Sequence, residues 1–360
     1  MKHLRKVKNL TLLLSLTLLA ISCGGSEDES STEVTQQEAT EETTTTQPTA
    51  EAVKIGVILS GATSQPGYYM DNKLGADSLI ETYGADVTIL ENLGFDPVAL
   101  AEGAKNLALD GNTIIIGDGV TGEALRSIAN DYPDVTFIVF TAPSPDPTIK
   151  NLYAFLPQQG LTSYLLGVIA ASSSKSGKVG CLGGYEDNPS GQACSGFVAG
   201  AKSVKPAIVT AIVTVGSYDD PALTKSATSA LLSEGFDQIY AYVDGGLSGA
   251  TQAVTSFAKD GITLYSSAGS ISGSTARCAF DKSIKALAFQ DIPASYRSMY
   301  DLATSGKFAA GTTYVGVNDS SLQNVTFCPG NEDASLQALV ESATKSIIDG
   351  STKLDISITG

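Results

Sequence analysis

The sequence predicts an α/β protein of two lobes, and three observations carry that expectation. Short apolar, β-branched runs alternate with segments of helical spacing, which is the pattern of βαβ units and a parallel sheet. The alternation is interrupted by a turn-rich stretch, Ala142-Pro143-Ser144-Pro145-Asp146-Pro147, and then restarts. Roughly 300 residues take part, more than one open sheet of this kind needs.

The chain opens with a different kind of segment. Lys2, Arg5, Lys6 and Lys8 precede a mostly apolar stretch from Leu10 to Ile21. At about 1.5 Å of helical rise per residue that stretch is too short for a bilayer core, which asks for about 20 residues. It reads as a signal peptide over residues 1–22. Ala20-Ile21-Ser22-Cys23 resembles the bacterial lipobox, which makes Cys23 the expected lipidation site. From Gly24 to Ala52 the chain is rich in Ser, Thr, Gln and Glu, and no Lys or Arg occurs between Lys8 and Lys54. Such a segment buries too little apolar surface to offset its ordering entropy, so residues 23–52 are expected to form a disordered acidic tether.

Val53 to Leu59 is nearly continuous in apolar residues, as expected of a strand covered on both faces. Helix Asp71–Tyr83 follows, with Leu74, Leu79 and Ile80 near helical spacing. Then come strand Val87–Leu90, helix Pro97–Leu109, strand Thr113–Ile116, helix Gly122–Asn130 and strand Val135–Phe140. After the turn-rich stretch the expected order is helix Leu161–Ser172, strand Lys178–Leu182, helix Ala193–Val204, strand Val209–Val215 and helix Pro221–Ser233. Strand Gln238–Val243, helix Gly249–Lys259 and strand Thr263–Tyr265 complete the second run. Beyond Gly269 the pattern is mixed, with a strand at Lys285–Phe289 and helices at Ile292–Ser305 and Ala334–Ile348.

Charge and residue usage exclude several functions. The chain carries −16; the leader holds four positive charges and the tether eight negative ones, which leaves −12 for the folded part. Without a basic stripe, such a domain is a poor partner for nucleic acid or an anionic membrane surface. The sole histidine, His3, lies in the leader, so Ser-His-Asp and Cys-His catalysis and histidine metal sites have no basis beyond it. Ser172-Ser173-Ser174-Lys175 matches Ser-x-x-Lys but lacks companion motifs, and no phosphate-binding glycine fingerprint is present. Apart from Cys23 the cysteines are Cys181, Cys194, Cys278 and Cys328, an even number suited to an oxidising compartment. Three pairings are open; the favoured one joins Cys181 to Cys194 across a short loop and Cys278 to Cys328. No Cys-x-x-Cys spacing supports a zinc site instead, and no cofactor is implied.

In open α/β sheets, ligands sit beyond the carboxyl ends of the strands. The candidate stretches are therefore Ser60–Tyr69, Gly117–Val120, Thr141, Gly184–Asn188, Asp244–Gly246, Ser266–Ser267 and Gln290. Asp118 and Asp244 could anchor a ligand or cap helices, since Asp is a good N-cap.

Several stretches resemble the basic membrane protein (BMP) family of substrate-binding lipoproteins. They are Tyr132-Pro133-Asp134-Val135-Thr136-Phe137, the run Ser163 to Ala171, Lys175-Ser176-Gly177-Lys178-Val179-Gly180, Gly216-Ser217-Tyr218-Asp219-Asp220-Pro221 and Ile347-Ile348-Asp349-Gly350. The resemblance implies a two-lobed periplasmic-binding-protein type I fold, each lobe a parallel sheet flanked by helices, with several crossovers at the hinge. The expected division is 53–157 with 284–310 for the N-terminal lobe, and 158–283 with 311–360 for the C-terminal lobe. It also implies binding rather than catalysis: a monomeric receptor that takes a nucleoside-like ligand and passes it to an ABC permease. A surface sensor or adhesion lipoprotein that keeps the fold without uptake is the second class.

Tyr68, with Tyr69 beside it, and Tyr218 match the family's stacking positions, where aromatic rings sandwich a flat ligand. Elsewhere the chain departs from the family. The loop Gly61 to Gly67 has no acid, Thr141 and Ser266 or Ser267 stand where the family has Asp, and Gln290 stands near its lysine. The expected ligand-binding set is Tyr68, Tyr69, Asp118, Thr141, Tyr218, Asp244, Gly245, Ser267 and Gln290, a polar site with little charge.

Overall fold

The computed structural model describes residues 52–355, apart from 65–66, 144–145, 147, 258–259 and 309–310. The expected signal peptide, Cys23 and nearly all of the tether lie outside the described residues.

The first lobe begins with β1 (Lys54–Ile58), α1 (Tyr68–Tyr83), β2 (Asp86–Leu90), α2 (Pro97–Leu109) and β3 (Ile114–Gly117). A 3-10 turn at Gly119–Thr121 leads into α3 (Gly122–Ile128), a second at Ala129–Asp131 closes it, and β4 (Thr136–Phe140) and β5 (Leu152–Pro157) follow. The second lobe runs α4 (Gln159–Ser173), β6 (Lys178–Gly183), α5 (Asn188–Val204), β7 (Val209–Thr214) and α6 (Pro221–Ser233). It continues through β8 (Gln238–Tyr242), α7 (Leu247–Phe257), β9 (Thr263–Ala268), α8 (Ile271–Phe280) and β10 (Ile284–Gln290). The last elements are α9 (Ile292–Thr304), β11 (Gly311–Val315), β12 (Gln323–Phe327) and α10 (Ala334–Ile348).

Two six-stranded sheets result, ordered β11-β5-β4-β3-β1-β2 and β12-β10-β9-β8-β6-β7. Central strands such as β3 are buried at every residue, because helices cover both faces, whereas the edge strand β2 alternates exposed and half-buried positions. Each sheet therefore has two cores. In the first, Ile55, Val57, Ile116, Phe140 and Phe155 pack on the α1 and α9 side, while Ile58, Ile115, Phe137 and Val139 pack on the α2 and α3 side. Each such side chain, fully withdrawn from water, contributes about 1.5–3 kcal/mol. The second lobe is knitted by α4 against α5, whose backbones pass so closely that a Cβ on Gly200 would lie 1.9 Å from the Tyr164 carbonyl oxygen.

The expected lobe boundaries at 284 and 311 do not hold. Strand β10 lies in the second sheet, parallel to β9 with Leu287 opposite Ser266, and β11 closes the edge of the first sheet beside β5. The chain thus crosses between lobes after Pro157, after Gln290 and after Val315. An apolar run reveals a doubly covered strand but not which sheet receives it, and that is decided by the neighbour it can pair with. The parallel-sheet expectation also needs amending at one edge: β12 pairs antiparallel with β10. Strands β5, β11 and β12 and helix α8 have no counterpart among the expected elements, because they sit among turn residues and show weak periodicity.

Both favoured disulfides are present, Cys181 to Cys194 joining β6 to α5, and Cys278 to Cys328 joining α8 to the end of β12. Among the described residues no helix is long and apolar enough to cross a membrane.

Candidate functional site

The parallel strands of the two sheets point their carboxyl ends at each other across a common cleft, and α1 begins there. Gly67 starts this helix with φ 142°, a conformation that favours glycine, and a Cβ at that position would lie 2.9 Å from Asp244 Cγ in the opposite lobe. The Tyr68 N–H donates to the Asp244 carboxylate. One turn on, Ser270 Oγ donates to Asp71 Oδ1 at 2.5 Å, and the Gly269 N–H adds a second bond to the same carboxylate. Burial pushes the Asp71 carboxyl up to about 6, against the lowering effect of the Ser270 bond and the nearby Arg277.

On the first-lobe wall, the hydroxyl of Tyr68 lies 2.7 Å from that of Thr141, and Gly119 supplies a further backbone bond. Thr141 has φ 72°, unusual for a β-branched residue and costly by about 1–3 kcal/mol. Tyr69 stands edge-on to Tyr68, ring centroids 5.4 Å apart, with its hydroxyl 2.9 Å from Ser60 Oγ. Asp118 is turned into the protein. Its carboxylate accepts from Ser60 N and Ser60 Oγ, each at 2.7 Å, and from Val120 N at 3.3 Å, and it is only 2% exposed. It caps the 3-10 turn, as the capping alternative for this residue anticipates, and burial raises its pKa despite those bonds.

The second-lobe wall is built around Tyr218. Its hydroxyl donates to Asp187 Oδ2 at 2.7 Å and lies 2.8 Å from Ser190 Oγ, and its ring lies against Gly184, where any Cβ would meet it at 2.2 Å. Tyr185 and Tyr242 flank it edge-on, at 5.4 and 6.2 Å between centroids. Asp244 pairs with Arg277 at 2.9 Å, and Arg277 also donates to Val243 O and Ser266 Oγ. Burial raises the Asp244 carboxyl and Arg277 pulls it back. Unlike Asp118, Asp244 divides its carboxylate between Arg277 of its own lobe and the Tyr68 N–H of the other. Gly245 N–H donates to Asp219 Oδ1 at 3.1 Å, Ser267 bonds Tyr240, and Gln290 ends β10 beside the hinge.

Tyr68, Tyr69, Thr141, Tyr218 and Asp244 therefore lie where the strand ends of the two lobes face each other, Asp118 is turned into the first lobe, and Tyr68 and Tyr218 are each clamped by hydrogen bonds within their own lobe. Two-sided walls of tyrosine and hydroxyl groups at the strand ends have the architecture of a solute-binding cleft. The family model described as "Bmp: ABC transporter substrate-binding protein PnrA-like" matches residues 52–274, more than half of the sequence.

The chain belongs to the Bmp family.

A purine-binding protein of Brucella abortus is 30% identical over 54% of this chain and 55% of its own length. The ABC transporter nucleoside-binding protein BmpA of Lactococcus lactis is 31% identical over 38% of each chain. The chain thus spans about half, or less, of the length of these curated relatives. Among solved structures, an ABC transporter solute-binding protein from Conexibacter woesei superposes with a TM-score of 0.65 at 22% identity, covering 85% of this chain and 99% of that one. One from Aeropyrum pernix gives 0.70 at 17%, covering 84% and 93%. These two show a shared fold.

For a Bmp-family chain the Arg277 contact is the part that sequence reasoning misses. Arg277 sits on α8, a helix the periodicity does not announce, 33 residues from Asp244. Tyr242 and Gln159 escape for a simpler reason. They meet through a Tyr242 hydroxyl donating to Gln159 Oε1, 83 positions apart, and no local pattern joins them.

Proposed function

We propose that this chain is an exported, lipid-anchored solute receptor of an ABC-type importer that captures a small, uncharged, planar polar ligand such as a nucleoside by closure of its lobes. The observation that carries the reading is the interlobe contact at the start of α1, where Gly67, Tyr68 and Asp71 meet Asp244, Gly269 and Ser270. These contacts exist only when the lobes are together, so a ligand enclosed between the walls is held by the same motion that forms them. Tyrosines supply flat apolar area with a polar tip. The names of the Brucella and Lactococcus relatives point to purines and nucleosides. Thr141 and Ser266 or Ser267, where the family resemblance implies acids, favour a neutral ligand. Ala20-Ile21-Ser22-Cys23 supports lipid attachment, and binding is the whole activity, with no bond made or broken.

A thermal-shift panel of nucleosides, free bases, sugars and amino acids tests this. A ligand at about 100 times its dissociation constant adds roughly 2.7 kcal/mol of stability. A nucleoside that stabilises the chain but not its Tyr218→Ala variant supports the reading; stabilisation by amino acids alone rejects it. Incorporation of labelled fatty acid that disappears in Cys23→Ala tests the anchor.

A further inference from the structure

At the cleft end of the second sheet, β10 finishes on Gln290 and β12 starts on Gln323, and the antiparallel register places the two directly opposite each other. Side-chain alternation puts Gln290 on the face of Ala286 and Ala288, and Gln323 on the face of Val325 and Phe327, so both point to the side covered by α4. Ser267 on β9 shares this face with Tyr265, and Tyr242 on β8 shares it with Tyr240. A row of four uncharged polar side chains therefore crosses the floor of the second-lobe wall.

The other two members of the row are engaged: Tyr242 donates to Gln159, and Ser267 bonds Tyr240. The two glutamines differ. Gln323 is 1% exposed, and among the described residues neither its Oε1 nor its Nε2 has a hydrogen-bond partner; nor has the buried Nε2 of Gln290. The backbone around them is committed, with Gln323 N–H donating to Asp319 O at 2.9 Å and Asp291 N–H to Leu322 O at 2.8 Å. Buried amides that lack partners are costly, and leucine or methionine would fill the same space without that cost. The cross-strand placement keeps the two amides within reach of one small group.

We propose that Gln290 and Gln323 form an amide pair that hydrogen-bonds an uncharged ligand group carrying a donor beside an acceptor, and that Gln323 is a specificity-determining residue of the cleft. This deepens the solute-receptor reading and rests on it. An amide offers one donor side and one acceptor side and exchanges them by a flip, so the pair meets either order of ligand groups. A charged group gains no counter-charge there and bears its full desolvation cost. Two features of a nucleoside have the required chemistry: the lactam edge of an oxopurine and the vicinal hydroxyls of its ribose.

Calorimetric titration of the full chain and its Gln323→Leu variant with inosine, hypoxanthine and ribose tests the pair. The expected result is affinity at least ~10-fold weaker in Gln323→Leu, with no fall in the ligand-free melting temperature, because a site built around a hydrogen bond discriminates strongly against its loss. Equal weakening for inosine and hypoxanthine assigns the pair to the base edge. Weakening for inosine and ribose, with hypoxanthine unchanged, assigns it to the hydroxyls. Unchanged affinity overturns the proposal. If Gln323→Leu also melts lower, Gln323→Met separates packing from hydrogen bonding, and wild-type affinity in that variant overturns it. Should another neutral solute bind and these three not, the nucleoside reading fails while the same variants decide the pair on that solute. A chain that binds charged solutes alone, or none of the panel, overturns the pair.

Discussion

Asp71 in the first lobe accepts a 2.5 Å hydrogen bond from Ser270 in the second, across 199 positions of sequence. Ser270 is also the N-cap of α8, donor to one lobe and acceptor for its own helix through Gly273 N–H. The bond therefore ties the first lobe to the N-terminus of the helix that carries Arg277.

The proposed closure is expected to depend on pH through this contact. Burial lifts the Asp71 carboxyl from 3.8 to about 6 in the closed arrangement, so the closed form takes up a proton more readily than an open form in which Asp71 faces water. Above about pH 6 the closed form carries a penalty of up to roughly 3 kcal/mol from this group, and the penalty shrinks as pH falls toward the ordinary value. Arg277 opposes the rise and Asp244 adds to it. Affinity for a neutral ligand is expected to increase on acidification from pH 7.5 to 5.5, and Asp71→Asn should flatten that dependence. Titrations at several pH values check it; a wild-type curve that is flat, or that runs the other way, sinks the idea.

Gly67→Ala attacks the proposed closure sterically. The new Cβ meets Asp244 and the backbone loses a favourable φ of 142°. Ligand affinity should fall at least ~10-fold, with a loss of about 1 kcal/mol in ligand-free stability. Small-angle scattering should show a more open average shape, and wild-type affinity would count against the contact.

Thr141→Gly trades two effects of similar size. Relief of the φ of 72° stabilises by about 1–3 kcal/mol, while loss of the Tyr68 bond and greater chain entropy cost about 1–2 kcal/mol together. Ligand-free stability is expected to stay within about 1 kcal/mol of wild type while binding weakens. A destabilisation beyond about 2 kcal/mol in denaturant melts would show that little strain is stored at this residue.

The two disulfides should differ in worth. They close sequence separations of 50 and 13 residues, for which chain-entropy arguments give about 4 and about 3 kcal/mol. The Cys278→Ala/Cys328→Ala double variant is thus expected to lose about 1 kcal/mol more than Cys181→Ala/Cys194→Ala. Melts of both in the same buffer give the comparison, and the opposite order would mean that loop closure does not govern how much each bridge stabilises.

Much of this architecture is legible in the residues. Doubly buried strands announce themselves as apolar runs, so β1, β3, β4, β6 and β8 fall close to their expected places. Helices with an Asp-Pro start, such as α2 after Asp96 and α6 after Asp220, are sharply bounded, because the carboxylate takes the first free N–H groups. The site is legible in part. The rule that ligands gather beyond strand ends selects Tyr68, Thr141 and Asp244, and the family resemblance adds Tyr218, but neither can tell that Asp118 is consumed by Ser60 and Val120.

The sequence by itself determined the local features: which runs become strands, where helices begin, an acidic histidine-free domain, and polar loops after several strands. Each follows from side-chain chemistry acting over a few residues. Tertiary structure alone decided that β10 joins the second sheet and β11 the first, that Arg277 reaches Asp244, that Asp71 meets Ser270, and that Gln290 lies opposite Gln323. Those outcomes join residues tens to hundreds of positions apart. Pairing over such distances is chosen by the packing and burial of whole lobes, and no short-range pattern records it.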